Sequence, residues 1–331
     1  MPFADKPAPT FKKFFVLGTV IQLQVFGSNG ERAIKEAVER LYDLDDKMSV
    51  FKEDSEISKI NKNAGGLPQE VSTDTLFVMQ KALEYSNLSN GAFDPTIRPL
   101  VSLWGFGTSD KKVPNLKDIN EKLKLVNYQD IILDETNRTI KLCHSEQAID
   151  CGGIAKGYAA DAVKQVFLTN SITSAIINLG GNVLVLGQKN NETPWNIGIQ
   201  NPLGPRGEYI GILSAADKSV VTSGNYERYF IRDGKRLHHL IDPKTGYPCE
   251  NRVISVTVIS DNSIDGDALS TCLYVMGLNK GLKLIETVSG VDAIIVTEDK
   301  QVYVTPGIRD SFKLSDQEFV YQAGMEWSGK R

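Results

Sequence analysis

The chain has 331 residues, 41% of them hydrophobic and 24% charged, and a formal net charge of −4. That is the size of one large domain or two small ones with a globular composition, and the acidic balance without a clustered run of Lys and Arg argues against a nucleic-acid surface. No stretch approaches the ~20 apolar residues of a membrane span. Cys143, Cys151, Cys249 and Cys272 lack CxxC spacing and neighbouring histidines, so they predict neither a zinc site nor a disulfide framework.

In chain order, Met1 to Pro7 has no basic region leading into an apolar one and does not read as a signal peptide. Residues 1–13 read as an N-terminal stub, either of a cytoplasmic protein or of a mature form trimmed of an export signal. Phe14 to Phe26, rich in β-branched and aromatic residues around Gly18-Thr19, predicts a strand. Ser28-Asn29-Gly30-Glu31 has the spacing of a capping box and precedes Ile34, Ala37, Val38, Leu41 and Tyr42, an amphipathic helix. A second helix is expected over Thr73 to Leu88, stopped by Asn90-Gly91, and a hairpin from Ile131–Leu133 and Thr139–Lys141. Strands dominate from Ser174 onward, with helical patches near Gly152–Leu168, Asp267–Met276 and Gly281–Thr287. Because strands and helices do not alternate regularly, the expected class is α+β with mixed or antiparallel sheets and packed helices.

Six short polar segments punctuated by glycine stand apart from any core pattern: Asn90–Thr96, Asp150–Tyr158, Asn178–Asn182, Thr222–Tyr226, His239–Gly246 and Asp265–Thr271. Glycine beside Asp, Lys, His and Thr lets backbone approach a ligand while side chains supply charge, so the set predicts one extended site. Gly152, Gly153 and Gly157 around Lys156 resemble a phosphate-cradling turn feeding a helix, or else a plain tight turn with a solvated lysine. Asp267 and Thr271, four apart, share a helix face, suited to a hard, oxygen-seeking cation or to a helix cap with a buried threonine. His239 reads equally as a proton-transfer group or a structural donor, while His144 lies outside every glycine-rich segment.

In this order, Met48-Ser49, Gly91–Thr96, Pro99-Leu100 before Trp104-Gly105-Phe106, Asp150–Gly157, Asn178–Gly181, Thr222–Gly224 and His239–Gly246 resemble the FAD:protein FMN transferase (ApbE) family. The resemblance runs from about Leu17-Gly18-Thr19 to Met276-Gly277 and fades after Ile308, which suggests a flavin transferase domain over residues 14–310 and a C-terminal tail over 311–331. It implies an ApbE-like fold with a flavin cleft, FAD as substrate and Mg2+ as cofactor. FAD contacts are implied at Leu17, Phe51, Ala92, Phe93, Asp94, Asp150, Lys156 and Ile241, with Leu17 where some relatives carry Met and Phe51 where many carry Tyr. The metal is implied at Asp267, Thr271 and the Gly153 carbonyl, with Ser270 and Asp265 as weaker candidates; His239, Asp267 and Lys156 are the implied catalytic groups.

The implied partner is an acceptor protein, an electron-transfer subunit or exported flavoprotein, carrying a Thr or Ser flavinylation motif. The implied location is the outer side of the cytoplasmic membrane, with an anchor in the native precursor. In the reaction, an acceptor hydroxyl attacks the FMN-side phosphorus of FAD and AMP leaves, the metal and Lys156 neutralising developing charge and His239 or Asp267 taking the proton. The same site would make an FAD pyrophosphatase if water replaced the hydroxyl, and a flavin-binding protein if chemistry were absent.

Overall fold

A computed structural model describes residues 9–190 and 192–322. Nine strands form one sheet in the order in which they occur in the chain: β1 (Thr10–Val16), β2 (Thr19–Phe26), β3 (Ser174–Leu179), β4 (Asn182–Leu186), β5 (Ser219–Gly224), β6 (Val253–Ser260), β7 (Asp292–Thr297), β8 (Gln301–Val304) and β9 (Val320–Gln322). Neighbours are antiparallel except the last pair, β8 and β9. Helices α1 (Gly30–Met48), α3 (Ala155–Thr169) and α4 (Ser263–Ile285) cover one face, and α2 (Thr73–Leu88) packs on α1 and α4. A smaller three-stranded sheet (Trp195–Gln200, Tyr209–Ala215 and Phe312–Leu314) contributes to a second core over the opposite face. The architecture is therefore α+β, as expected.

Burial on both faces explains why β6 reads as an unbroken run rather than an alternation. Val256 and Val258 point into the core beneath the helices, while Ile254 and Ile259 join the second core with Ile197, Leu213 and Val302. Each such side chain, fully buried, contributes roughly 1.5–3 kcal/mol. Helix α1 buries Ala33, Ile34, Ala37, Leu41, Leu44 and Met48, the stripe its periodicity predicts. Helix α2 has the predicted limits, with Ser72 Oγ accepting the Thr75 N–H at its start and Asn90 and Gly91 in left-handed conformations beyond its end. The expected hairpin forms from Ile131–Asp134 and Thr139–Leu142.

Several expectations need correction. Phe14 to Phe26 is two strands, joined by a two-residue turn with Leu17 at φ 54° and Gly18 at φ 65°. The apolar pattern continues through that turn, which conceals it. No capping box opens α1: Asn29 is the N-cap without a side-chain cap, and its amide donates to the Asn170 carbonyl at 3.1 Å. The two helical patches after Asp265 are one element broken at Gly277 (φ 73°, ψ 175°). The boundaries at 14 and 310 do not separate stub and tail from the folded unit. Residues 10–13 pair with Val25 to Gln22, Phe312–Leu314 pairs with Leu213 to Gly211, and Val320–Gln322 completes the main sheet. Among the described residues, no helix is long and apolar enough to cross a membrane.

Candidate active site

A cavity of about 490 Å³ lies at the end of the main sheet where the Leu17-Gly18 and Gly180-Gly181 turns meet the last residues of β5. Its lining includes Leu17, Phe51, Ala92, Phe93, Asp94, Asp150, Gly153, Lys156, His239, Ile241, Asp267 and Thr271. Neither weaker candidate lines it. Asp265 accepts from Tyr85 Oη at 2.6 Å and pairs with Lys81 at 3.1 Å, so it ties α4 to α2. Ser270 bonds to Ser223 Oγ at 2.8 Å and donates to the Asp267 carbonyl, behind the cavity wall.

The charged corner is built where α3 and α4 meet. Asn262 caps α4 with no side-chain bond, but Asp161 of α3 accepts the N–H groups of Ser263 and Ile264, both at 2.8 Å. Burial, outweighing those bonds, pushes the Asp161 carboxyl up to about 6. Gly157 allows the contact, since a Cβ there would overlap the Ser263 carbonyl oxygen. The glycine expected to cradle phosphate thus serves helix packing instead, and its N–H is taken by Asp267 Oδ2 at 2.8 Å. Asp267 Oδ1 lies 3.6 Å from Lys156 Nζ, which donates to the Gly152 carbonyl at 3.0 Å.

One turn along α4, Thr271 Oγ1 stands 3.5 Å from Ser223 Oγ and from where a Gly153 Cβ would lie. A carboxylate oxygen, a hydroxyl and the Gly153 backbone thus converge. Among the described residues no cluster of three or more His, Cys, Asp or Glu forms. A cation here would rely on mixed oxygen donors, water and ligand phosphates, the habit of magnesium. The residues fit the implied ion.

The wall beside this corner, where Phe93 lies against Gly153, is apolar. Ala92 and Phe93 are buried, the Phe93 N–H donating to Ser89 Oγ at 3.0 Å, and Ile241 belongs to a satellite core with Leu100, Trp104 and Phe106. Phe51 is 63% exposed, and the Arg98 guanidinium lies over its ring at 5.1 Å from the centroid. Arg98 also donates to Asp150 Oδ2 at 3.2 Å, while Asp150 Oδ1 accepts the Gly152 N–H. Asp94 lines the cavity with its carboxylate engaged elsewhere: Oδ1 accepts the Thr96 N–H and hydroxyl, Oδ2 the Tyr128 N–H. It braces the Ala92-Phe93 wall, and burial raises its pKa against those bonds.

His239 presents a ring whose Nδ1 is buried without a partner. Burial, then Arg228 and His238, push its pKa down to about 3, so it is neutral at pH 7. His238 plays a different part, its Nε2 bonded to the Cys249 carbonyl at 3.2 Å and its ring edge-on to Tyr274.

Sequence reasoning missed Arg98, Asn182, Ser223 and Arg228 as individual cavity residues. Asn182 accepts from Ser263 Oγ at 2.8 Å and keeps Nδ2 buried without a partner, a free donor beside the cavity. Its position just after Gly180-Gly181 and that of Arg98 just before Pro99 were the available signals; Arg228 had none.

The ApbE family model matches residues 17–295. The chain is 38% identical over 301 residues to an FAD:protein FMN transferase of Klebsiella pneumoniae, covering 91% of this chain and 93% of that one. It is 33% identical over 324 residues to the Treponema pallidum protein of the same name, covering 93% and 90%. Among solved structures, the ApbE protein of Thermotoga maritima superposes with a TM-score of 0.86 at 33% identity, covering 92% of this chain and 99% of that one. The flavin transferase ApbE of Vibrio cholerae gives 0.79 at 28%, covering 94% and 98%. The chain belongs to the ApbE family.

Proposed function

We propose that this protein is a magnesium-dependent FAD:protein FMN transferase. The observation that carries the reading is the convergence, in one cavity, of the Asp267–Lys156–Thr271 corner, the apolar Phe93–Ile241 wall and a neutral His239 with a free ring nitrogen. The names and near-complete coverage of the relatives support it. The wall receives the flavin; the corner receives the pyrophosphate. Asp267, Thr271 and the Gly153 carbonyl would hold magnesium, which would supply positive charge against the pyrophosphate oxygens.

Lys156 adds a cation on the same side. The acceptor Thr or Ser oxygen forms a bond to the FMN-side phosphorus as the bond to the AMP phosphate breaks, and AMP departs. The hydroxyl proton passes to His239. Asp267 is the weaker candidate for base, since Oδ2 is held by Gly157 and Oδ1 faces Lys156.

The test follows acceptor mass and AMP release with FAD, magnesium and an acceptor peptide containing a Thr-Gly-Ala core. An FMN-sized mass gain that EDTA and Asp267→Ala abolish is expected. Release of AMP and free FMN in the presence of a bound peptide that stays unlabelled would replace this reading with a pyrophosphatase.

A further inference from the structure

Between two cavity-lining residues, Arg228 and His239, the chain makes an excursion as a separate two-stranded hairpin, Tyr229–Arg232 and Lys235–His238. Asp233 (φ 48°) and Gly234 (φ 74°) form its turn, the left-handed pair that matches strand twist. Nothing lies within 4 Å of where a Gly234 Cβ would stand, so the tip is in open space. On the inner face Phe230 and Leu237, directly opposed, pack onto the satellite core, with Phe230 5.8 Å from Phe106. The hairpin is therefore anchored to the cavity wall.

The other face is committed at its base, where His238 is buried and Arg236 Nη1 donates to Asn225 Oδ1 at 3.2 Å, but it is open further out. Tyr229 is 37% and Ile231 58% exposed, and the Arg236 guanidinium lies over the Tyr229 ring at 4.6 Å. Tyr and Arg are the side chains that dominate interface energetics. The charge is also one-sided. Glu227 is paired with Arg206 at 2.9 Å and Asp233 stands 3.7 Å from Arg232. Among the described residues no carboxylate lies within ion-pairing distance of Arg228, Lys235 or Arg236. Strand alternation puts Arg236 on the face of Tyr229 and Ile231 and Lys235 on that of Phe230 and Leu237, both exposed, so basic side chains edge both faces of the hairpin in a chain whose net charge is −4.

We infer that the Tyr229–His238 hairpin docks an acidic segment of the acceptor protein, next to the hydroxyl that receives FMN. The inference rests on the transferase reading, because it takes its occupant from the second substrate of that reaction. Both ends of the hairpin open into the cavity, one at His239, so a protein whose hydroxyl reaches that histidine must lay its flanking residues across this rim. Opposite charge would steer such a segment in and fix its register. A lipid headgroup surface shares the charge but offers no Thr or Ser side chain to receive FMN.

The experiment uses the full chain loaded with FAD and magnesium, and two peptides with the same Thr-Gly-Ala core, one flanked by Asp and Glu, the other by Asn and Gln. Fluorescence anisotropy reads binding and mass spectrometry reads FMN transfer. The acidic peptide is expected to bind about tenfold more tightly, the difference closing at high salt. Lys235→Glu with Arg236→Glu, and separately Ile231→Asp, should abolish that preference while FAD affinity stays unchanged. Equal binding of the two peptides, or a preference that survives these variants, overturns the assignment. So does a variant that loses capture by phosphatidylglycerol vesicles yet keeps the peptide preference. Selective binding of the acidic peptide without transfer would keep the docking surface and sink the transferase reading instead.

Discussion

His238 and His239 both have folded-state pKa values well below the ordinary 6.5, about 4 and about 3, chiefly because burial penalises the charged ring. A depressed base is neutral when folded and takes up a proton when unfolded, so its contribution to stability is complete above pH 6.5 and is lost as pH falls from 6.5 to about 4 for His238 and to about 3 for His239. The slope is at most ~1.4 kcal/mol per pH unit for each histidine. Urea titrations at several pH values should show this loss, and His238→Gln should flatten it. For catalysis, His239→Ala is expected to lower the transfer rate by roughly 10²–10⁴ with FAD affinity, read by fluorescence quenching, nearly unchanged. An undiminished rate would remove His239 as the base. At this scale the sequence was informative where glycine and charge coincide, as at Asp150–Lys156 and Asp267–Thr271, because few core arrangements call for such residues together. Arg98, Asn182 and Arg228 stayed hidden because their place in the cavity depends on contacts between distant segments, such as Asn182 with Ser263.

Among the elements, the α3–α4 junction positions the charged corner. Gly157→Ala drives a methyl into the Ser263 carbonyl and should cost about 1–3 kcal/mol and, on the proposed reading, raise the magnesium concentration needed for half-maximal transfer as Asp267 moves; a thermal melt and a metal titration check both. Asp161→Ala removes the acceptor for two N–H groups at the start of α4, a loss of about 1–2 kcal/mol by analogy with other caps. Asp161 also carries a pH signature opposite to that of the histidines. Its pKa, raised to about 6 by burial, favours the fold below the unfolded value near 4 and loses that contribution as pH rises through 6. Comparing melts of Asp161→Asn and the parent at pH 4 and 7 separates the two. Helix α1 was legible from apolar spacing and α2 from its Asn90-Gly91 stop, both of which local sequence carries. The Leu17-Gly18 turn was not, since a leucine at φ 54° gives none of the usual turn chemistry, and the cap of α4 comes from another helix altogether.

For the whole molecule, the irregular succession of helices and strands was enough to indicate α+β, but the sheet topology was out of reach. Pairing between β2 and β3 joins residues 21–26 to residues 174–179, and no local pattern specifies such a partner. Acid stability gathers at one such long-range cluster, where Asp74 meets Arg40, Lys47 and Tyr158. Burial alone would raise the Asp74 pKa, but these partners together hold it well below the carboxylate range. Its stabilisation is present above pH ~3.8 and declines as pH falls below that value, so Asp74→Asn should bring the acid-unfolding midpoint to higher pH in a circular-dichroism titration.

The excursion between β2 and β3 also bears on how the chain is made. While a ribosome produces residues 27–173, the β1–β2 hairpin has no strand to pair with along its β2 edge. A nascent chain must therefore carry Ile21, Leu23 and Val25 without β3 beside them through the synthesis of nearly half its length, a long interval in which an unpaired edge invites chaperone capture or misassembly.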